Sequence, residues 1–521
     1  MDVLTSRQMA EADRRTIEEL GIPGRTLMET AGRRIAESLI ALGREPVLLL
    51  CGRGGNGGDG LVALRMLAAN HMIARAIVLA PRARLTRNTR ATCRAAERFP
   101  CGVRIVPDEA AWEEMLETRG FRIRRWERPA VVVDAMLGTG ARGPLRGLYE
   151  RVVMDLNRWL AGSPTLRVAV DVPTGLSSDT GAVPSLCFRA DRTIALAAPK
   201  ICHAVHPARE ACGVVEVAEI GIPEHFLESG PAGVGFIRSH IGMRRDLAPR
   251  SAGAHKGDLG RLVIVAGSKE MPGAAALAAQ GALGAGVGLL TVAGPTAALA
   301  GLPPEAMRLP LPDNASAWAA SLLEKVTDLR ADALVVGPGL GAAPETASAV
   351  RELVRRTSAP LVLDADGLNA FARRAGELAE RRDLALTPHA GEAARLLGRA
   401  AARVAAERLE FVRGLVEQTA NAVLLKGPGT LVNAPGEKVM VNPTGGPELA
   451  SGGTGDILAG VAGAFLARGL KPFEALATGA FLHGRAGELA RERYGEDGVS
   501  ASDVARFLGR AIRWMHEEGA A

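Results

Sequence analysis

The sequence predicts an α/β protein built as two doubly wound α/β domains, and three observations carry that prediction. Short apolar strands recur along the chain, each running into a glycine-rich or polar loop and then a helical pattern, as in sheets covered by helices on both faces. The 521 residues exceed what one core organises, so two domains of roughly 200 to 300 residues are expected. At 47% hydrophobic and 23% charged, the composition is globular without a disordered bulk. The expected division is a first domain over 1–224, a connector over 225–250 and a second domain over 251–515.

Leu4 to Gly43 reads as two helices, roughly Ser6 to Leu20 and Arg25 to Leu42, broken at Gly21-Ile22-Pro23-Gly24. A strand over Pro46 to Cys51 enters the loop Gly52 to Gly60, GRGGNGGDG, and a helix over Leu61 to Asn70 follows. Strand, glycine loop and helix describe a dinucleotide-type site. A hydride-transfer site would also need an acid at the end of the second strand. That strand, Ile73 to Leu79, ends in Ala80-Pro81-Arg82, which disfavours a plain redox Rossmann domain. Six glycines in nine residues still point to a phosphate or ribose cradle.

Two further strands end in oxygen-bearing groups. Ala130 to Val133 leads into Asp134 and the loop through Gly138-Thr139-Gly140-Ala141-Arg142-Gly143-Pro144, and Val168 to Val170 leads into Asp171 and Thr174. Ligands bind at the carboxyl ends of parallel strands. Converging Asn56, Asp59, Asp134, Asp171 and Thr174 would suit a hard cation or a proton-transfer carboxylate. Each alone reads as a turn-forming residue.

The second half repeats this logic without a sequence repeat. Strands over Arg261 to Ala266, Ala333 to Val336, Leu361 to Leu363, Leu384 to Leu386 and Ala422 to Leu425 each end in a glycine-rich or polar loop. The stretch Asn442 to Gly460, NPTGGPELASGGTGDILAG, runs into a helix expected over Ile457 to Arg468. Glycines ahead of a helix N-terminus let N–H groups hold a phosphate, and Asp456 in the first turn could act as a general base. The competing reading makes Asp456 the helix cap.

Charge and cysteines narrow the function classes. A net charge of +6 with 3% aromatic residues gives no basic tail and no base-stacking platform, so no nucleic-acid partner is expected. The six cysteines form no CxxC pair, which speaks against zinc and for a reduced, cytoplasmic compartment. The first residues lack an apolar signal core. Met271 to Pro304 carries no charge, but its alanine, glycine and prolines predict a buried helix and strand rather than a membrane span.

These motifs resemble a known family. LTSRQM, GIPGRTLMETAG, GRGGNGGDG, DAMLGTG, AVDVPTGL and APK, in order over 1–220, resemble the epimerase domain of NAD(P)H-hydrate repair enzymes. GSKEMPGAAALAA, GPGLG, DADGLN, TPHAGE, LKGPGT and SGGTGDILAG, over about 250–510, resemble the ADP- or ATP-dependent NAD(P)H-hydrate dehydratase of the ribokinase-like superfamily. The resemblance implies a Rossmann-like epimerase domain in which Gly55, Asn56, Gly57, Gly58, Asp59 and Gly138 to Pro144 line the hydrate. Asn56, Asp134 and Thr174 would hold potassium, with Asp171 as acid/base. It implies that Ala274, Gly339, His389 and Asp456 contact the hydrate in the second domain, while Lys426, Gly427, Pro428, Gly429, Thr430 and Gly455 take ADP or ATP with magnesium. The expected partners are NADHX, NADPHX and the nucleotide, in a homo-oligomer, with no membrane. Two positions depart from the family: Gly55 replaces a usual second asparagine, and Arg142 stands where some members carry lysine. Arginine is a poor proton donor, so the second proton-transfer group stays open. Two other readings are a vitamin-alcohol kinase of the ribokinase type, which would leave a stable phosphorylated product, and a nucleotide sensor, which needs neither Asp171 nor Asp456.

Overall fold

The computed structural model describes residues 2–118, 128–237, 247–327 and 329–518. The chain divides into two compact units, Met1–Val234 and Gly235–Ala521. The connector expected over 225–250 falls partly outside the described residues.

The first unit holds α1 (Ser6–Glu18), α2 (Gly24–Ala41), β1 (Val47–Cys51), α3 (Gly55–Ala69), β2 (Ala74–Val78), β3 (Gly102–Ile105), β4 (Val131–Ala135), β5 (Leu166–Val170), β6 (Arg192–Leu196) and β7 (Val214–Ala218). The strands pair in the order β3-β2-β1-β4-β5-β6-β7, all parallel. Strand order reverses between β1 and β4, and a crevice opens at such a switch point. Both faces of β1 are covered: Val47, Leu49 and Cys51 join one core, Leu48 and Leu50 the other. That two-sided burial is why VLLLC carries no polar alternation. Strands β3, β6 and β7 were not anticipated, because Arg104, Arg192 and Glu216 interrupt their apolar runs.

Helix α3 begins at Gly55, six residues before the expected Leu61, so most of the glycine loop is the first turns of a helix. Gly57, Gly58 and Gly60 serve packing. A Cβ on Gly57 would lie 1.9 Å from the Gly52 carbonyl oxygen, one on Gly60 2.7 Å from Ala135 Cβ. A small-residue helix can therefore lie directly against the strand ends.

The second unit holds β8 (Arg261–Val265), α4 (Pro272–Gly284), β9 (Leu289–Pro295), β10 (Met307–Leu311), β11 (Ala333–Val336), β12 (Leu361–Leu363), β13 (Leu384–Leu386), α5 (Ala390–Leu397), α6 (Arg408–Thr419), β14 (Ala422–Leu425), β15 (Leu431–Asn433), β16 (Val439–Val441), α7 (Thr454–Ala467), α8 (Pro472–Tyr494) and α9 (Ala501–Glu518). Within the unit they pair in the order β16-β15-β14-β13-β12-β11-β8-β9-β10. The pairs from β14 to β10 are parallel, and β15 and β16 return antiparallel. The uncharged stretch after Met271 is the expected helix and strand. Helix α4 is pressed against α7 so closely that a Cβ on Gly281 would meet the Ile457 carbonyl at 2.2 Å, and one on Gly460 the Ala278 carbonyl at 2.0 Å. No helix among the described residues is long and apolar enough to cross a membrane.

Candidate active sites

In the first unit a cavity of about 690 Å³ opens at the carboxyl ends of β1, β4 and β5, and its wall includes Asp13, Gly55, Asn56, Asp59, the run Gly138 to Arg142, Asp171 and Lys200. Of the residues assigned to the hydrate by resemblance, Gly55, Asn56, Asp59, Gly138, Thr139, Gly140, Ala141, Arg142 and Asp171 meet there. Gly57, Gly58, Gly143 and Pro144 are not part of the wall. Gly57 and Gly58 point into packing instead: a Cβ on Gly58 would meet the Met28 side chain at 2.6 Å. Gly143 makes a left-handed turn at φ 71°.

Asp171 follows β5 in a left-handed backbone conformation, φ 64°. Its Oδ1 accepts from Lys200 Nζ at 2.5 Å and from the Leu196 N–H at 3.3 Å. Burial, reinforced by Asp171 and Asp13, pushes the Asp59 carboxyl well above the usual carboxylate range. Burial likewise raises Asp13 to about 6, with Lys200 opposing and Asp171 adding. Arg142 is largely exposed, donating to Asp179 Oδ2 at 2.7 Å and Ser6 Oγ at 3.0 Å. Both guanidinium contacts tie the loop to Asp179 and Ser6.

Asn56, Asp134 and Thr174 are linked through the backbone of one residue, Leu137. Asn56 Nδ2 donates to the Leu137 carbonyl at 3.0 Å and the Val170 carbonyl at 3.1 Å, while the Leu137 N–H donates to Thr174 Oγ1 at 3.1 Å. The Thr174 hydroxyl and N–H each donate to Asp134 at 2.7 Å. Asn56 Oδ1 is buried without a hydrogen-bond partner, and burial raises Asp134 to about 6 despite the donors from Thr174 and Met136. An orphaned amide oxygen beside a desolvated carboxylate and a hydroxyl fits a hard cation that takes oxygen ligands.

Behind this wall Cys202, His203 and Cys212 place their ligand atoms within 4.8 Å of one another, all buried. His203 Nδ1 accepts from the Lys200 N–H at 3.0 Å and Cys212 Sγ donates to the Cys202 carbonyl at 3.4 Å. These contacts hold the Lys200 backbone, while His203 Nε2 is buried without a hydrogen-bond partner.

In the second unit the N-cap of α7 is Gly453, at φ 92°, so Asp456 is in the first turn rather than the cap. Burial first, then Asp364, Glu392 and Asp366, raise Asp456 to about 7 against the pull of Lys426. Lys426 Nζ lies 2.6 Å from Asp364 Oδ1 and 3.6 Å from Glu392 Oε2. It also lies 3.6 Å from where a Gly455 Cβ would be. Burial works against the Lys426 ammonium, but the two carboxylates outweigh it and hold its pKa above the ordinary value. His389 is the N-cap of α5, half-exposed, its Nδ1 accepting from the Gly391 N–H at 2.9 Å and its Nε2 3.2 Å from Glu392 Oε1. Gly339, at φ 63°, abuts Ala274, whose Cβ would be 2.7 Å from a Cβ on the glycine. Under the loop Lys426 to Thr430 lies buried Arg408 on α6, donating to the Pro428 carbonyl and, at 3.2 Å, to the Leu425 carbonyl.

Family comparisons bear on both units. Residues 262–510 match the model described as NAD(P)H-hydrate dehydratase, and residues 24–202 match YjeF-related protein N-terminus. The bifunctional NAD(P)H-hydrate repair enzyme Nnr of Moorella thermoacetica is 36% identical over 99% of this chain and 98% of its own length. The chain belongs to the bifunctional NAD(P)H-hydrate repair enzyme family. The Salinibacter ruber member is 39% identical over 97% of this chain and 94% of its own. An ADP/ATP-dependent NAD(P)H-hydrate dehydratase from Bacillus subtilis, co-crystallized with ATP/Mg2+, is 30% identical, covering 54% of this chain and 99% of its own, with a TM-score of 0.47.

For a repair-family chain, sequence reasoning left Asp13, Lys200, Asp364, Glu392 and Arg408 without roles. Asp364 opens the DADGLN motif, Glu392 closes TPHAGE and Lys200 closes APK, so those three carried a signal. Asp13 and Arg408 sit in helical patterns that read as ordinary amphipathic surface, and nothing in the sequence marks their burial.

Proposed function

We propose that the two halves of this repair enzyme act in sequence on hydrated NADH or NADPH: the first interconverts the R and S hydrates, and the second dehydrates the S form at the expense of ADP or ATP. The observation that carries this reading is the occurrence, on one chain matched end to end by bifunctional repair enzymes, of a glycine-lined strand end holding buried Asp171 and a glycine-capped helix start holding half-buried Asp456.

In the first half, epimerisation at the carbinolamine carbon needs loss and return of the C6 hydroxyl or opening of the ring. Asp171, held at the cavity wall, would move the proton. Asn56, Asp134 and Thr174 would hold potassium, which supplies a fixed positive charge beside the bound coenzyme. Gly55 and the Gly138 to Arg142 run would let the coenzyme's backbone approach closely.

In the second half, hydroxide leaves C6 poorly, so it is first phosphorylated. Asp456 draws the proton from the C6 hydroxyl as its oxygen bonds the terminal phosphorus and AMP or ADP departs. The Gly452 to Gly455 amides at the start of α7 and the Lys426 ammonium would stabilise charge on the transferring group. Magnesium, bound with the nucleotide, would neutralise the phosphates. The ring N1 lone pair then expels phosphate, leaving an N1=C6 iminium, and loss of a proton from C5, which the departing phosphate can accept, restores the dihydropyridine. Ala274, Gly339 and His389 would contact the hydrate, and Lys426 to Thr430 the nucleotide.

The test incubates purified chain with each hydrate epimer, with and without ADP or ATP and magnesium, following dihydronicotinamide absorbance and free phosphate. Recovery from both epimers with stoichiometric phosphate supports the reading. A stable phosphorylated product without recovery would show a small-molecule kinase instead.

A further inference from the structure

We propose that Lys200 is the positioning residue of the first site, clamping one oxygen of Asp171 so that the other is the oxygen presented to the hydrate. The inference rests on the epimerase reading above. A wholly buried ammonium is costly unless paired, and Lys200 is 1% exposed. Its Nζ donates to Asp171 Oδ1 at 2.5 Å and to the Leu196 carbonyl at 2.6 Å, and the Leu196 N–H adds a second donor to the same Oδ1 at 3.3 Å. The two carboxylate oxygens are therefore not equivalent. Among the described residues Oδ2 accepts no hydrogen bond, and it faces the space a side chain on Gly138 would fill, 3.5 Å from that Cβ position. Gly138, Asp171 and Lys200 all line the same cavity.

The clamp is itself anchored. A non-glycine residue at φ 64° persists only where its surroundings over-determine it, and Leu196 and Lys200 do so from the end of β6. Lys200 in turn is fixed by its N–H to His203 Nδ1, 3.0 Å, and by a bridge to Leu4. An ammonium offers three donors. Two are taken by Asp171 and Leu196.

A buried pair that only stabilised the fold would lower stability on removal and leave turnover alone. The test uses the full chain with K200M, K200R, D171N and K200M/D171N, measuring thermal stability, kcat and KM for R-to-S conversion of the NADPH hydrate, and dehydration of pure S hydrate as a control. The expected result for K200M is a loss of about 10²-fold in epimerisation kcat, the scale of an ångström's misplacement, with KM and S-hydrate dehydration unchanged. K200R should recover part of the rate. K200M/D171N should be no slower than D171N, because the two residues act as one unit. Wild-type epimerisation kcat in K200M, or a double variant slower than D171N by the full K200M factor, overturns the proposal. If K200M does not fold, K200R decides: reduced kcat at unchanged KM supports the clamp, and unchanged kcat overturns it. A wild-type chain that dehydrates S hydrate yet never converts R would overturn the epimerase reading and the inference together.

Discussion

Lys426 Nζ lies 2.6 Å from Asp364 Oδ1, a pair that joins the ends of β12 and β14 across the intervening β13. The Lys426 N–H is tied to the Pro388 carbonyl at 2.8 Å and Asp364 also accepts from Thr387 Oγ1 at 2.8 Å. The ammonium is thus fixed beside Gly455 and within reach of the Asp456 charge. Lys426→Met should lower the dehydration kcat/KM for ADP or ATP by about 10- to 100-fold, the range for one charged hydrogen bond, while R-to-S epimerisation is unchanged. Steady-state kinetics with varied nucleotide checks it.

Asp456 is the only carboxylate in the first turn of α7, the helix whose N-terminal amides would face the transferring phosphoryl. Asp456→Asn keeps the shape and removes the base. Dehydration should fall by about 10²- to 10⁴-fold, the usual worth of general-base catalysis. Thermal unfolding should be unshifted or slightly raised, since the buried charge is lost. Single-turnover recovery of dihydronicotinamide measures the loss.

The pH dependence follows from the same group. Asp456 is raised to about 7 and must be deprotonated to act as base. Below pH 7 the dehydration kcat/KM should therefore fall about tenfold per pH unit, and above it level off, because kcat/KM reports the free enzyme. Lys426 lowers the Asp456 pKa, so Lys426→Met should move that limb to higher pH. A profile flat from pH 5 to pH 8, with chemistry rate-limiting, would remove Asp456 from the role.

Much of both sheets was legible because buried parallel strands are near-continuous apolar runs. Ala333–Val336, Leu361–Leu363, Leu384–Leu386 and Ala422–Leu425 begin and end where the sequence places them. The start of α3 was not legible. Consecutive glycines read as loop by propensity, yet Gly52, Gly57 and Gly60 are small because strand and helix backbones approach within contact there, and tertiary packing overrides propensity. Asp171, Asp134 and Asp456 could be named because each sits at a strand or helix end. Lys200 could not be given a role, since its partner lies 29 residues away and only the fold reveals its burial.

Potassium dependence should be visible without turnover. Asn56 Oδ1 is buried with no partner, and a cation that fills this need binds only the folded state. Wild-type chain should gain thermal stability as KCl replaces an organic-cation chloride at constant ionic strength, by the mass-action increment of a bound ligand. Asn56→Ala should abolish the potassium-specific gain while leaving the general salt effect. Equal stabilisation by both salts in the wild type would exclude a cation site at Asn56, Asp134 and Thr174.

The glycines of α3 divide into two kinds, and substitution separates them. Gly60 faces the sheet: a Cβ there would lie 2.7 Å from Ala135 Cβ and 3.0 Å from Cys51 Sγ, and β1 and β4 leave no room to yield. Gly60→Ala should destabilise the first unit by about 1–3 kcal/mol through overpacking, seen as a lower unfolding midpoint with the epimerisation KM unchanged. Gly55 lines the cavity, and a Cβ there meets nothing within 4 Å. Gly55→Ala should hold or raise stability, since alanine favours the helix over glycine by up to about 1 kcal/mol. Its cost should fall on the hydrate, whose KM should rise as the methyl group occupies cavity space. If Gly55→Ala lowers stability and spares KM, the cavity at the end of β1 is not where the hydrate binds.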